Sequence, residues 1–216
     1  MRPLKMCIWH IPVRQWFPPD DALSGIMARL CILREDLFLE LQGITAETIE
    51  RLDDNGDGWR DTYFFRNSMR TLFEMRRALH LLKKNKDFLA TIAKNPEFAK
   101  AFNDLNQRIE ESYSIVETIR HEVAGHLKAS AVQEGLQKID PRTKQIFQAG
   151  NSPKNTHYKF VTEIIGATLL RNAGTNMESK WKEILTVTSE ISLQAMHAID
   201  ALFWEYIKYK GVSTPL

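Results

Sequence analysis

Apolar residues recur along most of this chain at spacings of three, four and seven, the period of an amphipathic helix. Between Trp59 and Lys84, Phe65, Leu72, Met75, Leu79 and Leu82 fall on one side of a helical wheel. From Pro96 the pattern resumes with Phe98, Phe102, Leu105, Ile109, Val116, Ile119 and Val123, predicting one long helix. Gly135 and Asp140-Pro141 are read as ending the first half of the chain. Strand-like alternation of apolar and polar positions is not found, so the predicted fold is all-α.

Breakers divide the pattern. Residues 1–20 hold Pro3, Pro12, Pro18 and Pro19 and predict an extended, irregular arm that Trp9, Trp16 and Phe17 pin to the body. Asp20 and Asp21 are N-cap candidates for a helix ending at Gly43 as its C-cap. A short helix at 45–52 leads into the turn DDNGDG, and a brief helix at 86–94 precedes the long one. Residues 138–156 predict a long basic loop, with Lys138, Arg142, Lys144 and Lys154 against Asp140. Helices at 157–171 and 178–209 follow, separated by NAGTN. Together these predict a helical bundle of about five to seven helices in a single domain spanning 1–216.

With 216 residues and a net charge of +2, the chain can bury a core but cannot attract polyanions through bulk charge. Cys7 and Cys31 are the only cysteines and lack metal-ligand spacing, which predicts reduced thiols and a cytoplasmic setting. The start, MRPLKMCIWHIP, is read as no signal peptide, because its apolar run is short and His10 interrupts it. No apolar stretch approaches the roughly 20 residues that cross a bilayer, so no membrane partner is expected.

The stretch of greatest chemical interest is IRHEVAGHL, residues 119–127. Its two histidines are five apart, so they do not share a helix face as a zinc-binding pair at i and i+4 would. With Ile119 at 0° and the apolar stripe near 60°, Arg120 falls at about 100° and His126 at about −20°, both bordering that stripe. His121 falls at about 200° and faces away. Arg120 and His126 are thus the groups expected to line a groove against another helix or subunit.

Arg120, five intervening residues and His126, on a helix of an all-α bundle, resemble the HEPN superfamily (higher eukaryotes and prokaryotes nucleotide-binding domains). The resemblance covers this motif and the helical architecture. The residue after the arginine, often a polar asparagine in that family, is His121 here. The resemblance implies a metal-independent endoribonuclease, or an RNA- or nucleotide-binding protein, of a toxin–antitoxin or defence system. It implies a homodimer in which two protomers bring their motifs together, with Arg120 and His126 as the catalytic pair. The alternative is a non-catalytic helical scaffold or partner-binding protein, in which Arg120 pairs with a carboxylate and His126 is a satisfied interface histidine.

Two other features carry chemistry. Arg66, Arg70, Arg77 and Lys84 align within about 40° on the helix at 59–84, opposite its apolar side. Residues 66–86 hold seven Lys or Arg and one acid, Glu74, which suggests phosphate contact by that row as a nucleic-acid-binding face. Residues 35–61 hold nine acids and only Arg51 and Arg60, so internal charge matching is the competing reading. In DDNGDGWRD, Asp53, Asn55, Asp57 and Asp61 match calcium-ligand positions of an EF-hand loop. The bidentate glutamate of position 12 is Phe64, so a calcium-stabilised loop competes with a turn whose aspartates cap the next helix. His80 and His197 lie in apolar-rich helical stretches without ligand partners and are expected in core or surface roles. No organic cofactor is implied.

Overall fold

A computed structural model of the chain describes residues 11–45, 57–111, 113, 116–117, 128–144, 147, 158, 160–171 and 177–211. Eight helices and no strand occur among the described residues: α1 (Val13–Trp16), α2 (Ala22–Thr45), α3 (Asp57–Lys84), α4 (Lys86–Ile92), α5 (Pro96–Glu111), α6 (Ala129–Lys138), α7 (Val161–Leu170) and α8 (Met177–Tyr209). The fold is an all-α bundle. Its core is one continuous apolar cluster, with Met27, Leu30 and Leu37 of α2, Phe65, Met69, Leu72, Met75, Leu79 and Leu82 of α3, and Ile199, Leu202 and Ile207 of α8 at its centre. Phe102, Leu105 and Ile109 close it from α5. Burial of each such side chain contributes about 1.5–3 kcal/mol.

The N-cap read from sequence at Asp21 holds. Asp21 accepts from the Leu23 and Ser24 amides at 3.2 and 3.1 Å, satisfying the first turn of α2. Asn85 and Asn95 cap α4 and α5 in the same way, through the Phe88 and Phe98 amides. The arm is pinned as expected: Trp16 is buried, and Phe17 stacks on Tyr206 with ring centroids 5.7 Å apart. Tyr206 Oη donates to the Trp16 carbonyl at 2.6 Å and lies 2.6 Å from Ser24 Oγ, which donates to Asp21. Asp21 also takes Lys210 Nζ at 2.5 Å. Burial raises the Asp21 pKa, but the Lys210 ammonium and the Ser24 hydroxyl outweigh it and hold the carboxyl below its ordinary value. One clamp thus joins the arm, the start of α2 and the end of α8.

Three expectations are corrected. The stretch 1–20 is not extended throughout, because residues after Pro12 wind into α1, with Gln15 and Trp16 amides donating to the Pro12 carbonyl. Gly43 does not end α2, which continues to Thr45; a Cβ at Gly43 would meet the Phe64 ring at 2.5 Å, so its bareness admits that ring from α3. A separate helix, not singled out by the apolar spacing, follows the long one: Lys128 is extended (φ −68°, ψ 124°) and starts α6. Gly135 lies buried inside α6, where it meets Thr168 of α7, and Lys138 still belongs to that helix, so the loop begins at Ile139.

Candidate functional site

The helix α5 delivers the chain toward IRHEVAGHL, and its end is anchored on α3. Arg76 of α3 grips Glu110 of α5 through two hydrogen bonds, Nε at 2.9 Å and Nη2 at 2.8 Å. His80, one turn further along α3, brings Nε2 to 3.3 Å from the same carboxylate. The Arg76 guanidinium, hydrogen-bonded to Glu110, holds that carboxyl below its ordinary pKa. Beyond α5, the guanidinium lies 3.5 Å from the centre of the Tyr113 ring, a cation–π contact, and that ring stacks on Phe73 at 6.2 Å. Tyr113 Oη donates to Glu117 at 2.5 Å, which raises the phenol pKa. Val116 is buried in the core.

Arg120 and His126 lie outside the described residues. What the structure does give is the ground just before them: Tyr113, Val116 and Glu117 fasten the chain to the middle of α3. Phe73 sits on the row of Arg66, Arg70, Arg77 and Lys84, between Arg70 and Arg77, at about −20° from Arg66 on the wheel.

That row is not uniform. Arg70, Arg77 and Lys84 are exposed, whereas Arg66 is half-buried, and burial lowers its pKa. Arg77 reaches Glu74 at 3.4 Å, and Glu74 takes Arg29 of α2 at 2.5 Å. Part of the basic charge is therefore matched within the bundle, Arg77 by Glu74 of α3 and Arg76 by Glu110 of α5, while Arg70 favours the ionised form of Glu40, which belongs to the acidic stretch at 35–61.

Asp53 and Asn55 lie outside the described residues. Asp57 is the first residue of α3 and Asp61 follows one turn later, so positions five and nine of the calcium pattern are helical rather than looped. An aspartate in a first turn suits the positive end of the helix. Among the described residues no group of three or more His, Cys, Asp or Glu is placed to hold a metal ion.

Two features escaped the sequence reading. A groove of about 540 Å³ runs between α5 and α8, walled by Asp104, Arg108, Glu111 and His197 and floored by Ala198 and Ala201. Asp104, Arg108 and Glu111 follow the exposed side of α5 at three- and four-residue spacing, a signal overshadowed by its apolar stripe. The other is Glu40. It takes a hydrogen bond from Thr71 at 2.8 Å, while its Oε2 is buried without a partner among the described residues. Burial, with Asp36 adding repulsion, pushes this carboxyl up to about 7, although hydrogen bonds and Arg70 oppose the rise.

The sign of the consequence follows from linkage. A folded pKa near 7 against an unfolded value of 4.5 means that the folded state holds the proton more tightly. Stability from this group is fully present below pH 4.5 and is lost as pH rises toward 7. Glu40→Gln, which stays neutral, is therefore expected to exceed the wild type at pH 8.5 by about 1 kcal/mol, a figure reduced for partial solvent screening. Below pH 4.5 the two should converge. Urea unfolding of both proteins across this range checks it, and a pH-independent gap between them would remove the assignment.

Comparison with family models, with curated proteins and with solved structures returns no match to this chain. No helix among the described residues is long and apolar enough to cross a membrane.

Proposed function

We propose that this chain is a HEPN-like, metal-independent endoribonuclease of a toxin–antitoxin or defence system, working in the cytoplasm as a pair of protomers. The observation that carries this reading is the spacing of Arg120 and His126 in a chain that folds as an all-α bundle. It gains support from the anchoring of Tyr113 beneath Arg76, which ties the residues before the motif to the basic helix.

In this reading His126, near its neutral pKa, takes the proton from an RNA 2′-hydroxyl as O2′ attacks the adjacent phosphorus. The P–O5′ bond breaks, and the leaving oxygen takes a proton from the histidine of the second protomer. Arg120 holds the phosphate through forked hydrogen bonds and offsets the charge that gathers there. The products are a 2′,3′-cyclic phosphate and a 5′-hydroxyl.

The test is incubation of purified protein with mixed RNA in EDTA beside a His126→Ala protein prepared identically. Cleavage by the wild type alone is the expected result. The non-catalytic partner-binding reading draws on the sharing of Glu74 between Arg29 and Arg77, which gives part of the basic row a purely internal role. Absence of cleavage in both proteins would favour it.

A further inference from the structure

We propose that Phe147 and Tyr158, with Lys138 and Lys144 at the same end of the α6–α7 pair, form a platform that binds single-stranded RNA through its unpaired bases. The inference deepens the ribonuclease reading by naming an unpaired substrate strand, and it rests on that reading only for cleavage. The platform uses neither Arg120 nor His126.

The helices α6 and α7 run antiparallel, because Gly135 meets Thr168 while Glu134 takes Arg171. The end of α6 and the start of α7 therefore lie at one end of the pair, and the segment between them leaves and returns there. Its turns are fixed on both sides. Thr143 donates its amide to the Asp140 carbonyl at 2.8 Å, and Val161 donates its amide to the Tyr158 carbonyl at 3.0 Å. On this frame Phe147 and Tyr158 pack with ring centroids 5.2 Å apart, and Phe160 meets Tyr158 edge-on at 5.8 Å. Phe147 and Tyr158 are nonetheless 55% and 57% exposed, the two most exposed aromatic rings among the described residues.

Rings held against one another and left in water have faces to offer, and every base has a flat face that stacks on an aromatic ring. The surrounding charge suits the phosphates. From 138 to 163 the chain holds five Lys or Arg against Asp140 and Glu163, more net positive charge than the whole chain carries. Arg142 is already held by Asp140 at 2.8 Å. That leaves Lys138 and Lys144, both exposed and in no ion pair among the described residues. A duplex hides its base faces, so stacking of this kind selects a single strand. An acidic peptide would use the lysines and leave the two exposed rings without a role. On α3, by contrast, Phe73 within the row of cations is already stacked on Tyr113.

Fluorescence anisotropy of a labelled strand of about 12 nucleotides, added to the full chain, tests this. The strand is 2′-O-methyl RNA, which has no free 2′-hydroxyl and so reports binding whether or not the chain is a ribonuclease. The expected result is binding that weakens with salt and is about tenfold tighter than for the same strand in a duplex. Tyr158→Ala and Phe147→Ala should each weaken binding about 5–100-fold, while Tyr158→Phe keeps the ring and the affinity. Both rings are exposed, and the Tyr158 carbonyl rather than its phenol starts α7, so the circular dichroism of the variants should be unchanged. No binding up to about 100 µM, or binding indifferent to both alanine variants, would overturn the proposal. So would equal affinity for the duplex, or binding lost in Arg70→Ala and kept in Tyr158→Ala, which would give the strand to α3. Attachment to phosphatidylserine vesicles with no affinity for the strand would overturn it too, giving the rings to a membrane surface. Binding through Tyr158 without cleavage of ordinary RNA would uphold the platform and count against the ribonuclease reading alone.

Discussion

His126→Ala is expected to lower RNA cleavage in EDTA by about 10²–10⁴-fold, the range for removing a positioned general acid or base. A histidine doing this work leaves a second signature. The pH–rate profile should carry a histidine titration that His126→Ala removes. Arg120→Lys keeps the charge and loses the fork, so it should depress kcat more than it raises KM for RNA. His121→Ala is the internal control, because on the wheel drawn from the sequence it falls about 140° from His126 and away from the apolar stripe. Circular dichroism of each variant should match the wild type. Equal cleavage by wild type and His126→Ala would end the catalytic assignment, whatever the source of the activity.

What the sequence disclosed was what local chemistry decides. Apolar spacing located α2, α3, α5 and α8, because each buries a stripe that repeats within its own residues. Asp21 was legible as a cap, since a cap acts on amides two or three residues away. The misread positions depend on a second element. Gly43 and Gly135 look like helix ends until Phe64 and Thr168 are seen to occupy the space beside them. Glu40 is one acid among nine in its stretch until α3 covers it with Thr71. The basic row on α3 read as a single charged face, yet Glu74 divides it by reaching Arg77 and Arg29 together. The α5–α8 groove needed both helices in place, since its walls come from residues about ninety apart in the chain.

Gly135→Ala is expected to destabilise the protein by about 1–2 kcal/mol, against what helix propensity alone dictates. Inside an exposed helix the same change stabilises by up to about 1 kcal/mol. Gly135 is not in such a place. A Cβ there would lie 2.5 Å from Thr168 Oγ1 and 2.8 Å from both the backbone nitrogen and Cα of Thr168. The hydroxyl cannot simply swing aside, because it is fully buried and donates to the Ile164 carbonyl at 2.7 Å. The backbone atoms cannot move without shifting α7, and Arg171 ties that helix to α6 through Glu134 at 2.9 Å. Separating the helices sacrifices packing along the whole crossing, which outweighs the propensity gain. Gly166 supplies the control two residues from Thr168, since a Cβ there would meet nothing within 4 Å. Urea unfolding should therefore show Gly166→Ala at or above wild-type stability and Gly135→Ala below it. Stabilisation by both substitutions would mean that α6 and α7 do not approach so closely in solution.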